Sequence, residues 1–390
     1  MIRRTLSFRK NIHTLTLIII VLATLFYARN NRWYIDGGGS WKQTINSDGI
    51  SYYAYLPAIF IYQDLDYSFA SEIIDKGYLP DYSRYYYRNI DGEIVNMTFI
   101  GVAILMLPFF LLAYFLSFLF GYDLDGYSDL FQFSVSIATL FYLILGLIFL
   151  RKVLKLYGIK EINISLVFIL FVFGTNILYY LVVEPAMSHI YSFSVISVFI
   201  FYIKKLSDDF NLRNLAIGTA LFALILLIRP SNGIVIFLLP FLAGSWTKFW
   251  HLIKRYFSNF KYPAVSTLIF SAIIFLQPLI WYFQTGQFYV YAYEGGSFDF
   301  SNPHMISILT SYKKGLFIYA PLTFISLFGF VPLFRENRFE AVSLFLFLAL
   351  ITFILSSWWS WYYGVSYGMR AFVEFMPIFI ILLAYLLNGI

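Results

Sequence analysis

The chain of 390 residues contains no cysteine, which excludes disulfides and thiolate metal sites as organising elements. Charge is also scarce. Asp, Glu, Lys and Arg make up 12% of the residues against 60% hydrophobic ones, too few to solvate the surface of a water-soluble domain of this size. Mean hydropathy is +0.74, and apolar runs of about 18 residues or more, the length that crosses a bilayer, recur throughout. Together these features specify an all-α polytopic membrane protein. No small-x-small cleavage site follows the first apolar run, so MIRRTLSFRK and the run behind it read as an uncleaved anchor. Nor does the chain show an inverted internal repeat of the kind found in many transporters. The net charge of +6 does not indicate nucleic-acid binding, because the cations cluster in short loops between apolar runs, as the positive-inside rule produces.

Aromatic residues are in excess: 33 Tyr, 45 Phe and 8 Trp bring the aromatic share to 22%. Biased base composition of the gene accounts for this in one reading, and sugar-stacking surfaces account for it in the other.

The first span runs from Thr14 to Ala28, with Arg3, Arg4, Arg9 and Lys10 placing the N-terminus in the cytoplasm. A first outer loop over 29–129 follows, opening with a polar segment of about 70 residues, too long for a structureless connector. It holds the turn-rich DGGGS of Asp36–Ser40 and then SDGISYYAYLPAIF. There Ser47 or Asp48 caps a short helix, with Tyr52, Tyr55 and Ile59 on one face and Tyr53 beside them, lying along the membrane surface. The apolar segment Phe99–Phe120 is long enough to span but contains Pro108 and has acidic flanks. Reading 98–120 as re-entrant or interfacial keeps 17 of the 27 Lys and Arg residues on the cytoplasmic side and only four in the short outer loops. Further spans are expected at 130–150, 161–182, 190–206, 212–229, 231–247, 263–283, 315–334, 340–357 and 371–388. That makes ten crossings in a single domain, with a cytoplasmic C-terminus.

This topology gathers Asp48, Glu184, His189, Arg229, Asn232, Glu294, Asp299, His304, Lys313, Lys314, Arg370 and Glu374 at one boundary. Ionisable groups at membrane depth are costly and tend to mark sites. Asp48 is a candidate general base, or one ligand of a divalent cation such as Mg2+ or Mn2+; helix capping is the plainer alternative. Glu184 and His189, in EPAMSH, are spaced to approach one metal or one hydroxyl, or else are water-exposed loop residues. Arg229 and Asn232 sit in IRPSNG, where Pro230 ends a helix and the arginine can fork onto a phosphate or simply snorkel. Lys313 is a further phosphate candidate, although paired lysines usually sit in solvent. FYVYAYEGGSFDF, Phe288 to Phe300, is a mobile lid or a lipid-facing edge. Near the end, WWSWYYGVSYGMR from Trp358 to Arg370 combines aromatic faces (Trp361, Tyr363, Tyr367), glycines and a cation, a receptor for lipid phosphate and sugar or an ordinary interfacial belt.

The order and sidedness of these elements resemble the GT-C superfamily of integral-membrane glycosyltransferases, in particular bacterial members related to the protein O-mannosyltransferases and the lipid A aminoarabinose transferase. Asp48 in SDGISYY matches the family's first-loop acidic position. RPSN of Arg229–Asn232, the late G-x-S-x-G-x-R of Gly364, Ser366, Gly368 and Arg370, and EPAMSH carry the rest. The resemblance implies inverting transfer of a sugar from a polyprenyl-phosphate donor to a lipid, glycan or protein acceptor on the outer face of the bacterial inner membrane, in contact with membrane lipid and without nucleic acid. Asp48, Glu184 and His189 would be catalytic and Arg229, Arg370 and Lys313 would hold the phosphate. Asn232, Trp361, Tyr363, Tyr367 and Tyr53 would contact sugar or lipid, with Asp48 or Glu184 on any metal. The chain departs from the family in having Gly49 where the mannosyltransferases have a second acidic residue, and in showing no soluble C-terminal domain. A lipid-linked sugar flippase and a non-catalytic membrane subunit are the rival readings.

Overall fold

The computed structural model describes residues 2–33, 40–292 and 295–389, with side chains described from 12 onward outside 32–40 and 293–294. Asp36–Gly39 and Glu294, named above, lie outside the described residues. The chain is mostly helical. Seven helices among the described residues are long and apolar enough to cross a membrane: Ile12–Asn31, Gly101–Phe120, Asp129–Leu156, Ser188–Asp208, Lys261–Thr285, Arg338–Ser356 and Arg370–Asn388. Six coincide with expected spans, and the seventh, Gly101–Phe120, is the segment assigned to the interface.

The other four expected spans are shorter or broken. Within 161–182, the helix Glu161–Gly174 stops at Thr175, which is extended, before a short helix Ile177–Val182. The run 231–247 begins as a 3-10 helix, Pro230–Leu238, because Pro230 closes the preceding helix, Leu212–Ile228. The run 315–334 is divided among Leu316–Tyr319, Pro321–Ser326, Leu327–Gly329 and Phe330–Glu336.

The elements used below are α1 (Gly49–Pro57), α2 (Gly101–Phe120), α3 (Asp129–Leu156), α4 (Ser188–Asp208), α5 (Leu212–Ile228), α6 (Trp246–Phe257), α7 (Lys261–Ile274) and α8 (Arg338–Ser356). α4 is the central helix, packed on α3 and α5, with nearly every side chain from Ser188 to Ile203 buried. It runs parallel to α3: Thr139 Oγ1 lies 2.9 Å from the Tyr191 hydroxyl, and Phe149 meets Phe201 one end further along.

The first loop is a folded layer rather than a surface helix on a tether. A two-stranded antiparallel hairpin, Tyr87–Ile90 with Glu93–Asn96, closes it. α1 lies beneath, and all nine of its residues are buried, so it has no exposed polar face of the kind the periodicity suggests. Its tyrosines are anchored to backbone instead: Tyr53 donates to the Gly126 carbonyl at 2.6 Å and Tyr55 to the Thr98 carbonyl at 2.5 Å. α2 is one continuous helix through Pro108. Its start is tied to the span Lys261–Thr285, and the segment beyond its far end to first-loop tyrosines. The Ile100 N–H donates to Gln277 Oε1, and beyond its far end Gly126 and Asp125 accept from Tyr53 and Tyr62. Its second half leaves Leu111, Leu112, Phe115, Phe118, Leu119 and Phe120 exposed.

Candidate functional site

Asp48 precedes α1 but does not cap it, since its side chain bonds no helix N–H. One carboxylate oxygen instead meets Arg370 NH1 at 2.9 Å, and the other accepts from the Tyr86 hydroxyl at 3.5 Å. Two local features aim it. Ser47 is held in the left-handed region at φ 51°, an unusual conformation for a non-glycine residue. Gly49 presses against the 184–189 loop so closely that a Cβ there would stand 2.4 Å from Ala186 Cβ. A side chain at 49 would push Asp48 away from that loop.

Arg370 opens a 3-10 helix, Arg370–Phe375, that leads into the last span. Glu374, four residues on, is fully buried, and its Oε1 takes Arg229 NH1 at 2.7 Å and His189 Nδ1 at 3.1 Å. Arg229 ends α5 in extended backbone and reaches the site from there. Glu374 Oε2, His189 Nε2 and Arg370 Nε are all buried without a hydrogen-bond partner among the described residues. Glu184 is buried at 8% exposure and acts electrostatically on both Arg370 and Lys314. It does not join His189 in a pair, because the histidine turns to Glu374. The Tyr180 ring covers His189 edge-on at 4.5 Å.

The loop 357–369 forms one wall and is tied down on three sides. Backbone bonds join it to the 297–304 segment, with Asp299 N–H to Ser357 O, His304 N–H to Ser356 O and Trp359 N–H to Ser297 O. The Tyr180 hydroxyl donates to the Tyr367 carbonyl at 3.0 Å. Lys314 Nζ donates to Gly364 O at 2.7 Å, to Ser366 Oγ at 2.8 Å and to the Ser366 carbonyl. Gly368, at φ 59° and 3.0 Å by its absent Cβ from Tyr319, permits the final turn into Arg370. Burial and the nearby Arg370 charge lower the Lys314 ammonium to about 8.

The remaining candidates differ in what surrounds them. Tyr53 is enclosed by Phe110 and Tyr127 and offers no face to a ligand; its neighbour Tyr52 stands beside Arg229, Asp48 and Ser188. Asn232 is buried and donates to Ser192 Oγ at 3.1 Å, pinning the 3-10 turn to α4. Tyr363 is buried with its hydroxyl on the Leu355 carbonyl. Lys313 is exposed, with its ammonium 3.3 Å over the Tyr362 ring, and it is Lys314 that turns inward. Trp361 is half-buried beside His304, and Tyr367 is 44% exposed, stacked on Tyr179 at 5.1 Å. Among the described residues no three His, Asp or Glu side chains converge as a metal-ligand set. Asp48 holds the Arg370 guanidinium at 2.9 Å, and the Glu184 carboxylate acts on the same arginine.

Glu374, Lys314 and Tyr52 were given no role by the sequence. For Glu374 the signal was present, as a lone carboxylate entering a long apolar run, which marks function or pairing. The cluster sets three carboxylates, Asp48, Glu184 and Glu374, against three cations, Arg229, Lys314 and Arg370. Such a site can take up an anion by exchange at an arginine, and it holds a carboxylate that the exchange would free. In comparisons with known proteins, no family model, no curated protein and no solved structure matches the chain.

Proposed function

We propose that the chain is a membrane glycosyltransferase that moves a sugar from a polyprenyl-phosphate donor to an acceptor hydroxyl, with inversion. The observation that carries this reading is the 2.9 Å contact between Asp48 and Arg370. It supports the reading because a carboxylate able to take a proton and a guanidinium able to bind phosphate stand side by side at a mostly buried polar site.

In the proposed reaction the acceptor oxygen attacks the anomeric carbon as the bond from that carbon to the phosphate oxygen breaks. The bonding pair leaves with the lipid phosphate, and the acceptor proton passes to Asp48. Arg370 stabilises the growing phosphate charge, with the Arg229 and Lys314 charges behind it. Arg370 cannot serve phosphate while it is fully engaged with Asp48. Donor binding therefore draws Arg370 from the carboxylate and unmasks the base, which gives an ordered reaction with donor first. Glu374 and His189 hold Arg229 in place. Of the candidate aromatics, Trp361 and Tyr367 keep faces accessible to sugar or isoprene. In the bacterial cytoplasmic membrane the N-terminus would be inside and this cluster outside, with α2 lying in the outer interface.

Release of carrier phosphate in membranes supplied with polyprenyl-phosphate sugars tests the reading, comparing the natural chain with Asp48→Asn. Turnover lost in the variant at normal expression supports it. Full activity in Asp48→Asn refutes the assignment of the base. Flipping of the lipid-linked sugar without its cleavage would replace transfer by transport.

A further inference from the structure

At the end of α4 remote from His189 lies a groove of about 380 Å3 between α4, α5, α6 and α7. Ile203 and Leu206 of α4, Gly218 and Phe222 of α5, Ile253 of α6 and Phe270 of α7 are among its walls. His189 and Leu206 stand 17 residues apart on one helix, so the groove lies about 25 Å from the charged cluster.

α6 forms its lip. Its sequence, WTKFWHLIKRYF, sets Trp246, Phe249, Ile253 and Tyr256 on one side and Thr247, Lys248, His251, Lys254 and Arg255 on the other. Only Leu252 of this helix is buried, while Trp246, Trp250 and Phe257 are exposed. A basic amphipathic helix with exposed tryptophans lies in a membrane interface. Arg213, Lys254, Arg255 and Lys261, on the three elements that form the rim, are all exposed. The neighbouring acids are already engaged: Asp208 meets Lys204 and Lys248 at 3.6 and 3.7 Å, and Asp209 accepts from Asn211. The helices that frame the slot therefore carry an excess of exposed positive charge at this end of α4.

We propose that this groove binds an anionic phospholipid, with one acyl chain between α5 and α6 and the headgroup against Lys254, Arg255, Arg213 and Lys261. Basic pockets between helices at a membrane boundary select anionic headgroups, and each cation adds about a fivefold preference. The apolar wall supplies affinity and the cations supply selectivity. The assignment is independent of the glycosyltransferase reading, since the headgroup site stands at the opposite end of α4.

Native mass spectrometry of the full chain in detergent tests it, with phosphatidylglycerol and phosphatidylcholine of identical chains as probes. The expected result is preferential retention of phosphatidylglycerol. Lys254→Gln with Arg255→Gln should lower that preference by about 25-fold, two cations at fivefold each. Ile253→Trp, which fills the slot, should reduce retention of both lipids. Thermal unfolding at the natural temperature shows that each variant is folded, and Lys254→Gln alone, a surface change, provides a second variant. Equal retention of the two lipids by the natural chain overturns the proposal, as does unchanged retention in the folded double variant. Displacement of phosphatidylglycerol by polyprenyl phosphate that survives loss of Arg229 and Arg370 would also overturn it, by giving the groove to the carrier.

Discussion

Arg370 closes on Asp48 at 2.9 Å, so the last span of the chain is locked to the start of its first loop. The pair is partly shielded, with side-chain exposures of 14% and 32%. Asp48→Asn keeps the shape and removes the charge. If Asp48 is the base, carrier release should fall by about 100-fold or more, with donor binding retained or tightened because Arg370 is no longer held. Measuring donor affinity and turnover separately distinguishes this from simple unfolding, which lowers both.

Arg229 and Glu374 form the more buried pair, with Glu374 fully enclosed. Arg229→Ala leaves that carboxylate with His189 alone, and removing one partner of a buried pair costs about 3–5 kcal/mol. Arg229→Ala combined with Glu374→Gln should recover most of the loss, because no buried charge then remains. Thermal unfolding in detergent reads both; a single variant as stable as the natural chain would refute the pairing.

Lys314 ties the 364–366 backbone, and its ammonium titrates at about 8 instead of the ordinary 10.5. Its charge is present below that value and lost as pH rises through it. Between the two values the folded chain binds fewer protons than the unfolded one, so this residue's contribution to stability increases with pH in that window. Transfer activity or phosphate affinity should therefore decline between about pH 7 and pH 9 without a fall in thermal stability. Lys314→Arg should flatten that decline; a profile identical to the natural one would remove Lys314 from the site.

Tyr52 and Tyr53 are adjacent but differently placed. Tyr53→Phe loses the bond to the Gly126 carbonyl, costing about 1 kcal/mol, and should leave turnover unchanged. Tyr52→Phe alters a hydroxyl that bonds Ser188 beside Arg229 and Asp48, and should reduce turnover at little cost in stability. The reverse pattern in a paired assay would show that α1 faces the site with its other side.

Part of this arrangement was legible from residue types alone. Ionisable groups flanking apolar runs are too costly to be incidental, which is why Asp48, Glu184, His189, Arg229 and Arg370 stood out. Their partners were not legible. His189 and Glu184 are five residues apart in sequence, yet the rotation of α4 sends the histidine to Glu374. Of the adjacent lysines, the turn before Gly315 directs 314 inward and leaves 313 over Tyr362. α1 is buried all round, so helical periodicity had no exposed face by which to separate Tyr52 from Tyr53. Breaks within the apolar runs are not legible for a related reason. Hydropathy sums apolar content over a window, while Thr175 and Pro230 act at single positions.

The sequence by itself determined that the chain is a helical membrane protein. Length and hydropathy of each run suffice for that, since lipid tolerates no unsatisfied backbone. It also determined which residues are expensive enough to need a partner. Only the tertiary structure decided which carboxylate meets which arginine. That choice depends on helix rotation, on close approaches such as Gly49 against Ala186, and on loop turns, and each of these is set by packing between segments distant in the chain.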